Sequence, residues 1–238
     1  MIRFYSPDLT ETGHLPEDES VHCSRVLRLK SGAEIDTVDG DGNAYHCCIL
    51  DSNPKGVSLE ILSVTSEPKC WKGSLTLAVA PTKNADRMEW LVEKAVEMGV
   101  DEIVLLKCDH SERKVMKLDR LHRIIVSAMK QSLKATLPEL RGPVPFGEFM
   151  QESAASTACK VMGYCSPTVE RRDFGQVYHG GDLTVLVGPE GDFSPSEVKL
   201  AMEAGFDPVT FGMSRLRTET AAMYAVAAFH VIDNLNND

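Results

Sequence analysis

Two short stretches of this chain combine chemistry-bearing side chains with glycine turns. One is Gly188-Pro189-Glu190-Gly191; the other, just after Gly212, is Leu216-Arg217-Thr218-Glu219-Thr220. Together they offer two carboxylates, Glu190 and Glu219, and one guanidinium, Arg217. Groups of these types can move a proton or hold a charge. The pattern alone predicts a ligand site of unspecified kind. The plainer alternative for Arg217 and Glu219 is a mutual salt bridge at a helix start.

The flanking sequence says what must position these groups. Leu183–Val187 is a continuous apolar run of the kind found in a strand buried on both faces. Ser194-Pro195-Ser196-Glu197 is a capping box with proline at the first helical position. The helix that follows should run to about Ala204, with Gly205 as its left-handed cap. Pro208–Phe211 reads as a short strand, Gly212 as a second turn, and Thr218 as the cap of a final helix. In open parallel sheets, ligands gather where strands hand over to loops at their carboxyl ends. Here two such ends lie close together in one chain.

Several chemistries are excluded. There is no G-x-x-x-x-G-K-[ST] phosphate loop and no G-x-G-x-x-G after a strand. No G-x-S-x-G nucleophile elbow occurs, no H-E-x-x-H, and the histidines are scattered. Seven cysteines without a single C-x-x-C argue against a disulfide framework and against zinc, so no metal is expected. No apolar run approaches a membrane span, and the first residues lack a signal-peptide layout, which predicts a cytoplasmic protein.

Before the site, the chain changes character once. Residues 1–70 look small and β-rich: an edge strand at Arg3–Tyr5, and a hairpin of Glu34–Val38 and Tyr45–Leu50 around Asp39-Gly40-Asp41-Gly42-Asn43. That turn imitates a calcium loop but has Ala44 and Leu50 where glycine and glutamate are required. A short helix over 17–27 would place His22, Arg25 and Arg28 along one face. Residues 66–73 read as a linker, and 73–238 alternate strands with helices, which predicts an α/β fold with a mostly parallel sheet. The expected elements there are Leu75–Ala80, Ala85–Met98, Glu102–Leu106, Leu118–Leu133 and Cys159–Gly163. Net charge is −10, yet from Lys107 to Lys134 eight Lys or Arg face three Asp or Glu, a local +5. Such a segment is either a solvated helix face or a surface for RNA phosphates.

Taken in order, the motifs resemble the SPOUT (trefoil-knot) methyltransferases of the RsmE type. The matching pieces are His22-x-x-Arg25-Val26-Leu27-Arg28, Lys83-x-x-Asp86-Arg87-Met88-Glu89-Trp90, Glu93-Lys94-Ala95 through Gly99, and Gln131-Ser132 with Leu137-Pro138. Val187–Gly191 with Phe193-Ser194 and Glu197, and Leu216–Ala221, complete the series. The resemblance implies a PUA-like β-barrel over 1–70 and a domain with a C-terminal knot over 73–238. It implies S-adenosylmethionine (SAM) as cofactor, held around Val187, Gly188, Glu190, Gly191, Phe211, Gly212, Ser214, Leu216, Arg217 and Thr218. The implied reaction is methylation of N3 of a uridine in 16S rRNA, usually numbered 1498. The implied partners are the assembled small subunit and a second copy in a homodimer. Arg3, Arg25, Arg28, Arg113, Lys114 and Lys130 would contact RNA. Chemistry at N3 needs a base, either Glu190 or Glu219, and a donor for developing charge, Arg217. Alternatives are another rRNA or tRNA site, or an RNA-binding protein that has lost SAM. Asp192 and Lys130 depart from the family pattern, in which glycine follows GPEG and glutamate precedes Gln131.

Overall fold

In a computed structural model, residues 2–112 and 116–236 are described. They form two compact units, one of residues 2–70 with 125–137, the other of 71–112 and 116–124 with 138–236.

The first unit carries β1 (Arg3–Tyr5), α1 (Leu9–Thr12), α2 (Glu17–Val21), β2 (Glu34–Val38), β3 (Asn43–Asp51) and β4 (Ser58–Ser66). The strands pair in the order β1-β2-β3-β4, with β1 parallel to β2 and the rest antiparallel. Phe4, Leu9, Leu15, Ile35, Cys47 and Ile49 fill its core. The helix expected over 17–27 instead passes after Val21 into a wider π-type turn, His22–Val26. There Leu27 N–H reaches back five residues to His22 O at 3.0 Å. The wider turn breaks the i, i+3, i+6 phase, and Arg28 lies beyond it with φ 56°. His22, Arg25 and Arg28 therefore do not share a helix face.

Backbone bonds to residues 67, 135 and 137 anchor the hairpin turn, and one side chain organises it from within. Asp39 Oδ1 accepts the N–H of Asp41 (2.8 Å) and of Asn43 (3.1 Å), while Oδ2 accepts from Asn43 Nδ2 (2.7 Å) and the Tyr45 hydroxyl (3.0 Å). Burial pushes this carboxyl up, but the hydrogen bonds outweigh it and hold it below its ordinary value. A carboxyl lowered by folding adds stability above its unfolded pKa and loses it as pH falls through the folded one. Asp39→Ala should therefore lower the melting temperature most at neutral pH. The gap to the parent should close on acidification; a pH-independent gap would contradict this account of the turn.

The second unit carries β5 (Leu75–Val79), α3 (Ala85–Met98), β6 (Glu102–Lys107), β7 (Glu139–Pro145), α5 (Phe146–Ala154), β8 (Cys159–Gly163), β9 (Arg172–Asp173), α6 (Phe174–Val177), β10 (Leu183–Val187), α7 (Pro195–Glu203), β11 (Asp207–Thr210) and α8 (Thr218–Leu235). The remaining helix α4 (Leu118–Gln131) begins in this unit and ends in the first. All pairings of the seven-stranded sheet are parallel, in the order β7-β6-β5-β10-β8-β11-β9. Alternate residues of β5 face opposite layers. Ala78 and Ala80 join Phe146, Phe149 and Val198 from the α5 and α7 side, and α8 lies against β5 and β10 with α3 beside it. β10 is buried along its whole length, as a central strand covered on both faces must be.

The chain runs from β8 out to the edge at β9, then returns to insert β10 between β5 and β8. That return brings three carboxyl ends side by side. Val187 on β10 is level with Gly163 on β8, which is level with Val209 on β11.

A cavity at three strand ends

The loops leaving those strand ends enclose a cavity of about 970 Å³, within the range of small-molecule sites. Of the residues expected to hold a cofactor, Val187, Gly188, Glu190, Phe211, Gly212, Ser214, Leu216, Arg217 and Thr218 line it. Gly191 does not. It packs against His110 instead, where a Cβ would stand 3.1 Å from the His110 Cβ. The wall also takes in residues 164–167 and Arg171 after β8, together with Arg87 from α3 and Arg215. The family resemblance implies a cofactor-holding loop after the strand that ends near Gly163 but singles out no residue of 164–171, although Gly163 followed by Tyr-Cys-Ser-Pro is the same strand-to-turn punctuation that marks Gly188.

Gly163 has a specific reason to lack a side chain. A Cβ there would lie 2.6 Å from Phe211 Cε2, the ring that follows β11. Gly163→Ala should force that ring out of place and cost about 1–3 kcal/mol, as overpacked cores do. A urea midpoint equal to the parent's would show that Phe211 moves freely.

The Gly188 turn is built from several hydrogen bonds. Asp192 sits in the left-handed region at φ 63°, which aspartate tolerates better than most residues. Its N–H closes the turn on Pro189 O at 2.9 Å. Its carboxylate accepts the N–H of Phe193 and of Cys165, both at 3.0 Å. The departure from glycine thus ties the 188–192 turn to the loop after β8. His110 Nδ1 stands 3.1 Å from Gly191 O and 3.0 Å from Asp192 O; only a protonated Nδ1 can serve two carbonyls. Ser194 caps α7 as expected, its N–H donating to Glu197 Oε2 at 2.8 Å and its hydroxyl to Asp109 Oδ2 at 2.6 Å.

The second turn departs from expectation in two places. Thr218 is not the helix cap. Arg217 holds the N-cap position without a side-chain bond, and the buried Thr218 hydroxyl donates to Gly188 O at 3.0 Å, joining the two glycine turns. Nor do Arg217 and Glu219 pair with each other. Glu219 is only 8% exposed, lies outside the cavity wall, and faces Arg87 Nε at 3.6 Å. Arg217 is exposed on the wall and makes no ion pair among the described residues. Glu190 is exposed on the wall, its Oε1 accepting the Lys83 N–H at 3.0 Å.

The residues expected to meet RNA are dispersed in character. Arg25 and Arg28 are exposed. Arg3 is largely buried against Glu67 (2.7 Å) and donates to Leu133 O (2.8 Å). Lys130 pairs with the buried Glu19, whose carboxyl burial raises while Lys130 pulls it back. Both cations are therefore already occupied. Arg113 and Lys114 lie outside the described residues. Among those residues no His, Cys, Asp or Glu group could hold a metal, and no helix is long and apolar enough to cross a membrane.

Comparison with known proteins agrees with this layout. A family model described as an RNA methyltransferase domain matches residues 69–230, and one described as an RNA methyltransferase PUA domain matches residues 15–62. The chain is 28% identical to ribosomal RNA small subunit methyltransferase E of Mycobacterium tuberculosis over 96% of its length and 91% of that protein's. The same enzyme of Aquifex aeolicus is 28% identical, with 94% and 96% covered. Among solved structures, a probable rRNA-methyltransferase from Porphyromonas gingivalis is 42% identical with a TM-score of 0.91, covering 99% of this chain and all of that one. Ribosomal RNA small subunit methyltransferase E from Neisseria gonorrhoeae, bound to S-adenosyl methionine, is 29% identical with a TM-score of 0.85 and 98% of both chains covered. The parallel sheet, the cavity at its strand ends and the PUA match converge: this chain belongs to the RNA methyltransferase family, among the small-subunit rRNA methyltransferases of type E.

Proposed function

We propose that this protein uses SAM to methylate N3 of a uridine in 16S rRNA, the one usually numbered 1498. The single observation that carries the reading is the cavity at the ends of β8, β10 and β11, with an uncommitted guanidinium, Arg217, on its wall. The residues fit the cofactor: the volume suffices, Val187, Val209, Phe211 and Leu216 offer apolar surface, and loop backbone offers polar contacts. When bound, SAM supplies an electrophilic methyl group on its sulfonium. This chain's residues prepare the other reactant.

Uridine N3 carries a proton at neutral pH and attacks as its anion, with charge spread over O2 and O4. Glu190, on the wall and held by the Lys83 N–H, takes that proton. Arg217 donates to the oxygen on which charge develops. As the N3–methyl bond forms, the bond from methyl to sulfur breaks and the sulfonium charge is lost. Glu219 serves Arg87 rather than the base, and Thr218 sets the spacing of the two turns. Arg25, Arg28 and the basic run that includes Arg113 and Lys114 guide the RNA; Arg3 and Lys130 support the first unit through their ion pairs. In this reading the protein acts in the cytoplasm, on the small subunit, as a homodimer with a C-terminal trefoil knot.

Deletion of the gene tests the substrate: the 16S rRNA should lose its N3-methyluridine. Retention of that nucleoside would defeat the assignment and favour another rRNA or tRNA site.

A further inference from the structure

The cavity wall carries a second exposed arginine that the reaction above does not use. Arg215 stands two residues before Arg217, and both line the cavity and are exposed. Leu216 between them is half-buried and lines the same cavity. Arg217 itself is extended, at φ −76° and ψ 159°. In an extended segment residues two apart stand about 7 Å from each other. That is far enough for two guanidiniums to serve different groups of one nucleotide.

Of the other charges on the wall, Glu190 accepts the Lys83 N–H and is the proposed base. Arg87 faces Glu219, Arg171 donates to the carbonyls of Tyr164 and Cys165 (both 3.0 Å), and the Asp192 carboxylate is filled by two N–H groups. Arg215, like Arg217, makes no ion pair among the described residues. Its charge is felt at Cys165: burial and the Asp192 carboxylate hold that thiol above its ordinary value, and Arg215 and Arg171 both oppose them. A chain of net charge −10 repels RNA at long range, so an uncommitted guanidinium at the mouth of an RNA-modifying cavity is best matched to an oxyanion of the substrate. Guanidinium and phosphate meet through two parallel hydrogen bonds.

We infer that Arg215 binds a backbone phosphodiester of the RNA strand next to the target nucleotide, making the cavity mouth a phosphate site. This rests on the methyl-transfer reading. The test uses the full chain with Arg215→Ala and Arg215→Lys, measuring RNA affinity across a salt series with 16S rRNA as probe. SAM affinity and kcat are measured beside it. Arg215→Ala should weaken RNA binding about tenfold and reduce the slope of log affinity against log salt by about 0.7–0.9, the loss of one phosphate contact. SAM affinity should not move, and Arg215→Lys should keep the slope. An unchanged RNA affinity and slope would overturn the inference. So would a loss confined to SAM affinity, which would give Arg215 to the cofactor's carboxylate. If the parent binds RNA but transfers no methyl group, the methyl-transfer reading fails on its own, and the salt slope still judges Arg215.

Discussion

Arg217→Ala should lower kcat by about 10²–10³ while SAM affinity stays within a few-fold of the parent. Removing one donor aimed at developing charge costs this much in other enzymes, because the charge is greater in the transition state than in the bound substrate. A purely structural role would give a different result. Arg217 has no ion pair among the described residues and no side-chain cap on α8, so its loss removes no folding contact seen here. Single-turnover rates with saturating SAM check the outcome, with the melting temperature as control. Near-normal turnover in Arg217→Ala would take the residue out of catalysis.

Glu190→Gln should cost about 10²–10⁴ in kcat, the usual contribution of a positioned base. Glu219→Gln should do much less to the rate. The sequence leaves these two carboxylates equal; the fold does not. Glu190 is on the cavity wall and exposed, whereas Glu219 is buried beside Arg87 and outside the wall. A glutamine at 219 still fills the space but weakens the hold on Arg87, so its effect should fall on substrate binding. The reverse ranking, with Glu219→Gln losing more kcat than Glu190→Gln, would move the base to the helix.

Strong local punctuation explains what the sequence reveals of this fold. Leu183–Val187 and Ala85–Met98 lie where their apolar patterns put them, and the Ser194 capping box forms in full. β7 and α5 were not legible. Gly142-Pro143 interrupts the strand pattern, and such a break is tolerated because β7 is an edge strand. β9 and α6, of two and four residues, are too short to show a period. The π-type turn at His22–Val26 escapes because 3.6-residue periodicity cannot announce a local widening.

At the site, glycine turns at strand ends were visible, but partner choice was not. Thr218 looks like a cap and instead reaches across thirty residues to Gly188. Glu219 looks like a partner for Arg217 and instead faces Arg87, from another helix. Lys130 looks like a free cation and instead meets Glu19. Each of these depends on which segments the sheet order brings together, and local sequence carries no record of it. Asp192 is the converse case: a departure in sequence that the left-handed backbone and two accepted N–H bonds explain.

The central claim is that the cavity at the ends of β8, β10 and β11 transfers a methyl group from SAM to uridine N3. Its most direct test incubates the purified chain with isotopically labelled SAM and small ribosomal subunits lacking the modification, then digests the 16S rRNA and identifies the labelled nucleoside. Label should appear in N3-methyluridine at a single position, and its initial rate of appearance should fall about 10²–10³-fold in Arg217→Ala. Label in any other nucleoside, or none while SAM binds, would contradict the claim.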